Sequence, residues 1–429
     1  MTTLTQTARH TPMPRHSSVE VAPRLSTPCV SAPKSTCANG LQIDLVTDTA
    51  TLASLAPEWN TLFEHAGRAS QVFQTHAFAT LFAETYRLGA RQVQSVGPCA
   101  CQLAIVTARR DGRLVMVWPL VETRRFGLRC LSWLGEPVAQ YGDVVLDPNE
   151  QALETLEAAF AYIRDEIRPD TLRLRKVRSD AVIAPFLATL GISPAEMVEA
   201  PCVTLAGDGS PFEDRQNGKA KKNRRRLMRR LEEAGTVVFR ELPAGEAAAA
   251  ALAAGLADKR EWLKRRGLVS PSLGDPLVDR LLDRAVTDDD RTTGCAAFEL
   301  TLDGRPVAFA LGFRCKRRLM LHMITYAADM EKHGVGVLNL EAILRLAEAE
   351  GLEAVDLLPP KAEYKLDWAD VSAAAGDYHV GLTLRGRLVS HLVDGKVLPV
   401  VKETIHRLPL SLRRTLAART LAQTASAQA

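Results

Sequence analysis

From residue 41 onward two hydrophobic periods alternate along the chain, and the order in which they do so occurs twice. Apolar side chains recurring every three to four residues predict helices over 51–66 and 76–88. Shorter runs rich in Val, Leu and Ile then predict strands over 102–108, 114–121 and 128–134. Asp111-Gly112 marks a hairpin between the first two. A helix over 150–167 and a strand over 171–176 complete the set. The second set has helices over 245–266 and 276–286, and strands over 296–302, 306–314 and 319–326 with Asp303-Gly304 at the hairpin. It closes with a helix over 337–350 and an apolar strand over 354–358. Equivalent features stand roughly 190 residues apart, which predicts duplication of a whole α/β domain rather than a short solenoid repeat.

Residues 1–40 are rich in Thr, Ser and Pro, follow neither period and are expected to be disordered. The chain therefore divides into that segment, a first domain over 41–212, a connection over 213–235, a second domain over 236–384 and a tail over 385–429. The fold class expected is α/β with mixed sheets. In the connection, Ala220, Leu227, Met228, Leu231 and Ala234 recur at helical spacing and Gly235 supplies a stop. Nine Lys or Arg fall between 215 and 230 with no acid among them. In the tail, Ile405, Leu408, Leu412 and Leu416 lie near Arg407, Arg413, Arg414 and Arg419, which suits docking on the second domain or peripheral contact with an anionic membrane. Pro399 and Pro409 interrupt any single long helix there.

Composition narrows the picture. Net charge is only +4 over 429 residues, so the basic run needs a local explanation. The eight cysteines include no CxxC pair, and Cys99-Ala100-Cys101 has no histidines near it, so free thiols and no metal site are expected. The chain shows no charged-then-apolar leader, and no uncharged apolar run nears the ~20 residues of a membrane span. A cytoplasmic protein is expected.

The chemistry concentrates in the second set. Its third strand leads into Glu331-Lys332-His333-Gly334-Val335-Gly336-Val337 and then a helix. Two glycines at a strand-to-helix turn free backbone N–H groups for an anion, and the helix dipole favours it. Lys332, His333, Gly334, Val335, Gly336 and Val337 are therefore the candidate pyrophosphate loop. In the first set, 142–148 reaches its helix without a Gly-x-Gly.

These features resemble a known family. The second domain is similar to the acetyltransferase domain of the GNAT superfamily, in the branch of CelD-type cellulose-biosynthesis proteins. That branch resembles the Fem-type peptidyltransferases, which carry two tandem GNAT-like domains. The likeness rests on Glu58-Trp59, Phe73-Gln74-Thr75, Trp118-Pro119-Leu120 and Tyr141-Gly142-Asp143 in the first half. In the second it rests on the basic helix, Lys259-Arg260-Glu261-Trp262, the run 303–308, Tyr326-Ala327-Ala328-Asp329, and Asp356 followed by Tyr364-Lys365. It departs at Glu331, where the superfamily has Gln or Arg; Lys332 and His333 stand beside that acid to offset it.

The resemblance implies an acyltransferase using acetyl-CoA, with a polysaccharide- or sugar-linked acceptor and no metal. It implies Tyr364 as the acid that meets the departing thiolate, and Lys365 as a group that polarises a carbonyl or binds a phosphate. His322, mid-strand in an apolar run, is the candidate base, since imidazole is readily tuned to that task. Asp356 is a candidate site carboxylate, because a buried one without a role is costly. Tyr141, Asp143, Lys259, Trp262 and the arginines Arg224, Arg225 and Arg229 are candidate substrate contacts. Two rivals remain open at the level of sequence: a Fem-type transferase using aminoacyl-tRNA on a cell-wall precursor, and a nucleic-acid-binding protein acting through the basic helix. Against the second, the basic run has no interleaved aromatic for base stacking.

Overall fold

The computed structural model describes residues 36–38, 40–88, 101–125, 127–205, 210–268, 270–390, 404 and 407–422. The expectation of disorder over 1–40 falls almost wholly outside these, as does Ile405 of the tail. The N-terminal half runs β1 (Thr36–Ala38), β2 (Leu41–Val46), α1 (Thr49–Ser54), α2 (Ala56–Ala66), α3 (His76–Thr85), β3 (Cys101–Leu103), β4 (Ile105–Arg110) and β5 (Arg113–Trp118). It continues with β6 (Leu120–Arg125), β7 (Leu128–Trp133), β8 (Val145–Leu146), α4 (Ala152–Tyr162), β9 (Thr171–Arg178), α5 (Ala184–Thr189) and β10 (Glu196–Thr204). The basic helix α6 (Gly218–Ala234) opens the C-terminal half. Next come β11 (Val237–Leu242), α7 (Glu246–Arg266), α8 (Pro276–Thr287), β12 (Cys295–Leu302), β13 (Arg305–Cys315), β14 (Arg318–Tyr326) and α9 (Val335–Ala349). The half closes with β15 (Ala354–Asp356), α10 (Glu363–Leu366), β16 (Val371–Gly381), α11 (Leu384–Val389) and α12 (Leu410–Ala422).

The strands form two sheets, one of five in the order β1-β2-β4-β5-β8, and one of eleven in the order β11-β12-β13-β14-β15-β10-β16-β9-β7-β6-β3. The large sheet runs through both halves because each lends a strand to the other. β10 lies antiparallel to β15, β16 lies antiparallel to β9, and the two pair with each other from Glu196–Asp377 to Cys202–Val371. Sequence reading found neither β10 nor β16.

The strand expected over 102–108 is two, β3 in the large sheet and β4 in the small one, and the strand over 114–121 likewise divides into β5 and β6. Both cross between sheets at the same level, where Ala104 N–H donates to Leu120 O at 3.1 Å. Pro119 has no N–H to give a ladder, so the strand breaks there. The helix expected over 51–66 also divides, at Leu55, with Pro57 in the first turn of α2.

Helices cover both faces of the C-terminal part of the sheet. Leu252, Leu256, Leu281 and Leu282 of α7 and α8 share a core with Phe78, Phe82, Met320 and Met323. On the other face Leu340, Ile343 and Leu344 of α9 pack on Leu319, Leu321 and Val355. Helix α6 lays Leu227, Met228 and Leu231 against Met330, Val335 and Leu338, so the basic segment is fixed beside the start of α9. α12 packs against α7, with Ala417 buried and Leu410, Leu412 and Leu416 exposed. Among the described residues no helix is long and apolar enough to cross a membrane. Among the described residues Cys130, Cys202, Cys295 and Cys315 form no disulfide.

Candidate functional site

β14 and β15 are parallel and aligned only from Arg318–Ala354 to Met320–Asp356. β14 continues to Tyr326 while β15 stops, so the edge of β14 beyond Met320 faces a parting between the strands. A β-bulge sits at the mouth of it. Against β13, Leu321 pairs with Gly312 and Met323 with Leu311, which leaves His322 unpaired. A bulge turns a side chain out of the regular alternation and is common beside active sites.

The His322 ring is shielded. Its Nε2 lies 3.0 Å from Val138 O, and its buried Nδ1 has no partner. The neutral tautomer that donates from Nε2 therefore presents a bare lone pair at Nδ1. Burial pushes this imidazole down to about 4 from an ordinary 6.5. Between those values an unfolded chain takes up a proton that the folded one refuses, so stability falls as pH drops from 6.5 toward 4. Melting curves across that window are expected to decline more steeply for the native protein than for His322→Leu. Parallel declines would mean that the ring titrates normally in the fold.

At the far end of β14 the chain makes the anticipated turn. Gly334, at φ +67°, precedes α9, and the N–H groups of Val337 and Leu338 return to its carbonyl at 3.0 and 3.1 Å. Among the described residues the N–H groups of Val335 and Gly336 have no protein acceptor, as the first turn of a helix requires. A side chain at Gly336 would have to displace the Tyr326 ring, since a Cβ would stand 2.8 Å from its Cδ1. Glu331 is drawn aside: Arg266 donates to it at 2.7 Å, Arg265 lies 3.6 Å away, and the Arg266 bond holds its carboxyl below the usual range. Lys332 and His333 are exposed on the same turn.

Across the parting, Lys365 is buried and donates from Nζ to Leu358 O at 2.7 Å and Pro360 O at 2.9 Å. Burial, with the charges of Lys259 and Lys176, lowers it to about 8. Tyr364, next to it on α10, is 45% exposed. Lys259 donates to Ile324 O of β14 at 3.3 Å. It lies 4.7 Å over the Trp262 ring, and the Arg266 guanidinium lies 4.3 Å over the same ring.

Asp356 is fully buried, and its oxygens are occupied. They accept the Tyr141 hydroxyl at 2.9 and 3.0 Å, Arg178 at 3.2 Å and the Leu358 N–H at 2.9 Å. Burial raises its pKa against the pull of Arg178. Tyr141 and Arg178 come from the other half, so the group is a clasp between halves that lines one wall of the parting. Asp143 is not part of it. That carboxylate accepts N–H groups of Val144, Val182 and Ile183 and the Gln71 amide, all within the N-terminal half.

The three arginines of α6 separate. Arg224 is buried, with its guanidinium 4.1 Å over the Trp368 ring and its Nε 3.3 Å from Glu341. Arg225 and Arg229 are exposed, and Arg229 reaches only Glu233 at 3.6 Å.

Two residues escaped the sequence reading. Lys176, at the end of β9 with φ +53°, donates to Gln140 Oε1 at 2.5 Å, and Gln140 in turn lies 3.4 Å from His322. In sequence Lys176 is one more cation in a strand that already carries Arg173, Arg175 and Arg178, so only its place in the fold distinguishes it. A cleft of about 800 Å³ opens elsewhere, between α2, α3 and α8, and holds none of these side chains.

Comparison with known proteins defines the class. Residues 218–366 match the acetyltransferase (GNAT) domain family, and those bounds enclose the parting, the bulge and the glycine turn. Residues 218–366 form an acetyltransferase (GNAT) domain, so the chain carries a GNAT-type acyltransferase domain. Among solved structures it is similar to FemX, at 11% identity over 73% of this chain and 93% of that one, with a TM-score of 0.50. It is also similar to a tandem GNAT protein from the clavulanic acid biosynthesis pathway (12% identity, 80% and 99% covered, TM-score 0.46). L-PGS from Bacillus licheniformis is a third (13% identity, 80% and 96% covered, TM-score 0.46). No curated protein sequence matches the chain.

Proposed function

We propose that the protein moves an acyl group, acetyl in the simplest case, from coenzyme A to a hydroxyl or amine of a sugar- or polysaccharide-linked acceptor in the cytoplasm. The observation that carries this reading is the parting of β14 and β15, with a bulged histidine at its mouth and two unpartnered helix N–H groups at its end. In this reading the Val335, Gly336 and Val337 backbone and Lys332 hold the pyrophosphate, aided by the helix dipole. The donor's thioester then lies along the unpaired edge of β14. Nδ1 of His322 accepts the proton of the attacking hydroxyl or amine. Tyr364, at the exposed rim, returns a proton to the leaving thiolate. Lys365, across the parting, is placed to bind a phosphate of the substrate. Asp356 acts indirectly, by keeping Tyr141 and the N-terminal half against the cleft. Calorimetry with coenzyme A tests the reading directly; absence of binding sinks it.

A second reading draws on α6. Lys222, Arg225, Arg226, Arg229 and Arg230 are exposed on a helix whose Leu227 touches the glycine turn, where a Cβ on Gly334 would stand 2.7 Å from it. A donor with a long phosphate backbone, such as an aminoacyl-tRNA, suits a cationic ridge beside the donor turn. Binding of tRNA should then weaken with salt, at a log–log slope of roughly −0.9 per phosphate contacted. Exchange of Arg225 and Arg229 for Gln should make that slope shallower. Tight coenzyme A binding with no tRNA binding at low salt removes this reading.

A further inference from the structure

Lys176, Lys259 and Lys365 bring three amines from three elements to the same parting. Each bonds only neutral acceptors: Gln140 Oε1 for Lys176, Ile324 O for Lys259, and two carbonyls for Lys365. Among the described residues none of the three forms an ion pair. The nearby acids are held by arginines instead. Glu136 pairs with Arg173 at 3.0 Å, Asp377 with Arg175 at 2.9 Å, and Asp356 with Arg178 at 3.2 Å. Arg314 and Arg260, also half-buried, have carboxylates in Glu241 and Asp279.

Shielded amines outside any ion pair are costly to keep, and the carboxylates that act on Lys176 and Lys365 from a distance, Glu136, Asp377 and Asp356, are already engaged by arginines. Burial lowers all three, Lys176 and Lys365 to about 8; Arg175 adds to the effect at Lys176, Arg266 at Lys259, and Lys259 and Lys176 at Lys365. A bound anion removes that cost. The hydrogen-bond count says which kind. An ammonium has three donors; Lys365 uses two, Lys176 and Lys259 one each, so five remain. Five donors and up to three charges exceed what one carboxylate takes, and they suit the three terminal oxygens and double charge of a phosphate monoester.

We propose that Lys176, Lys259 and Lys365 form a binding site for a phosphate group carried by the acceptor, separate from the pyrophosphate turn at Gly334–Val337. The inference rests on reading the parting as the transfer site. It narrows the acceptor to a phosphorylated one, with the amine or hydroxyl that is acylated lying near His322.

The test is lysine labelling of the full chain with limiting acetic anhydride at pH 8, read by peptide mass spectrometry. Inorganic phosphate should slow labelling of all three lysines about tenfold and leave exposed Lys219 and Lys264 unchanged. Acetate at equal ionic strength should protect less. Lys176→Met should release protection at Lys259 and Lys365, and Lys259→Met, on a different element, should release it at Lys176 and Lys365. Gly336→Trp should leave protection intact. Unchanged labelling with phosphate overturns the proposal, as does protection by acetate as strong as by phosphate. Protection lost in Gly336→Trp but kept in both lysine variants places the anion in the donor turn, which overturns this inference while the acyltransferase reading stands. Coenzyme A binding, measured separately, reports on that reading alone.

Discussion

Replacement of Gly336 by Trp is expected to raise the Kd for coenzyme A about 100-fold or more, with the melting temperature of the protein little changed. A Cβ at this position would stand 2.8 Å from Tyr326 Cδ1, so the side chain must either push Tyr326 away or turn into the space above the helix N-terminus. Either way the free N–H groups of Val335 and Gly336 lose their access. A hydrogen bond to a charged group contributes about 1.5–3 kcal/mol, and two of them account for that change in affinity. Gly336→Ala should show the same direction with a smaller loss. Calorimetry gives the Kd and a thermal melt controls for folding. An unchanged Kd in the Trp variant would move the donor away from this turn.

The largest effect on stability is expected from Asp356→Ala. The substitution leaves the Tyr141 hydroxyl and the Leu358 N–H without an acceptor and takes from Arg178 its buried partner, although Asp180 still holds that guanidinium at 2.8 Å. Breaking a buried pair from one side costs about 3–5 kcal/mol. Asn at the same position keeps the acceptor for Tyr141 and Leu358 but not the charge, so it should recover part of the loss. Urea unfolding measures both. Because β10 and β16 are exchanged between the halves, we expect a single transition in which both halves unfold together. Two separated transitions, or an Ala variant as stable as the native protein, would show that the clasp does not join them.

These predictions differ in how far the sequence alone supports them. The glycine turn was legible, because glycines between an apolar strand and an apolar-periodic helix have a local meaning that survives folding. His322 was legible for a similar reason, as a polar residue interrupting the apolar run 319–326. The clasp was not: Tyr141, Arg178 and Asp356 are separated by up to 215 residues, and nothing local ties them. β10 was hidden by Pro201 and by the charged Glu196 and Glu199 before it, which argue locally against a central strand. β16 was hidden by its Ala and Gly residues, which carry little β preference. Both are held by the ladders on either side of them, a tertiary effect that overrides local propensity.

The same division explains the basic helix. Its amphipathic spacing is written in the sequence, and so is its surplus of charge. That Arg224 turns inward onto Trp368, while Arg225 and Arg229 remain outside, depends on which neighbours α9 and the segment after α10 bring to it. The sequence by itself determined most of the elements and the glycine turn between β14 and α9, because each depends on residues a few positions apart. The tertiary structure alone decided that the halves share one sheet and that three amines come to the parting without an ion pair among the described residues. Both arise from contacts across the chain, where burial and the field of distant charges act on side chains that no local pattern joins.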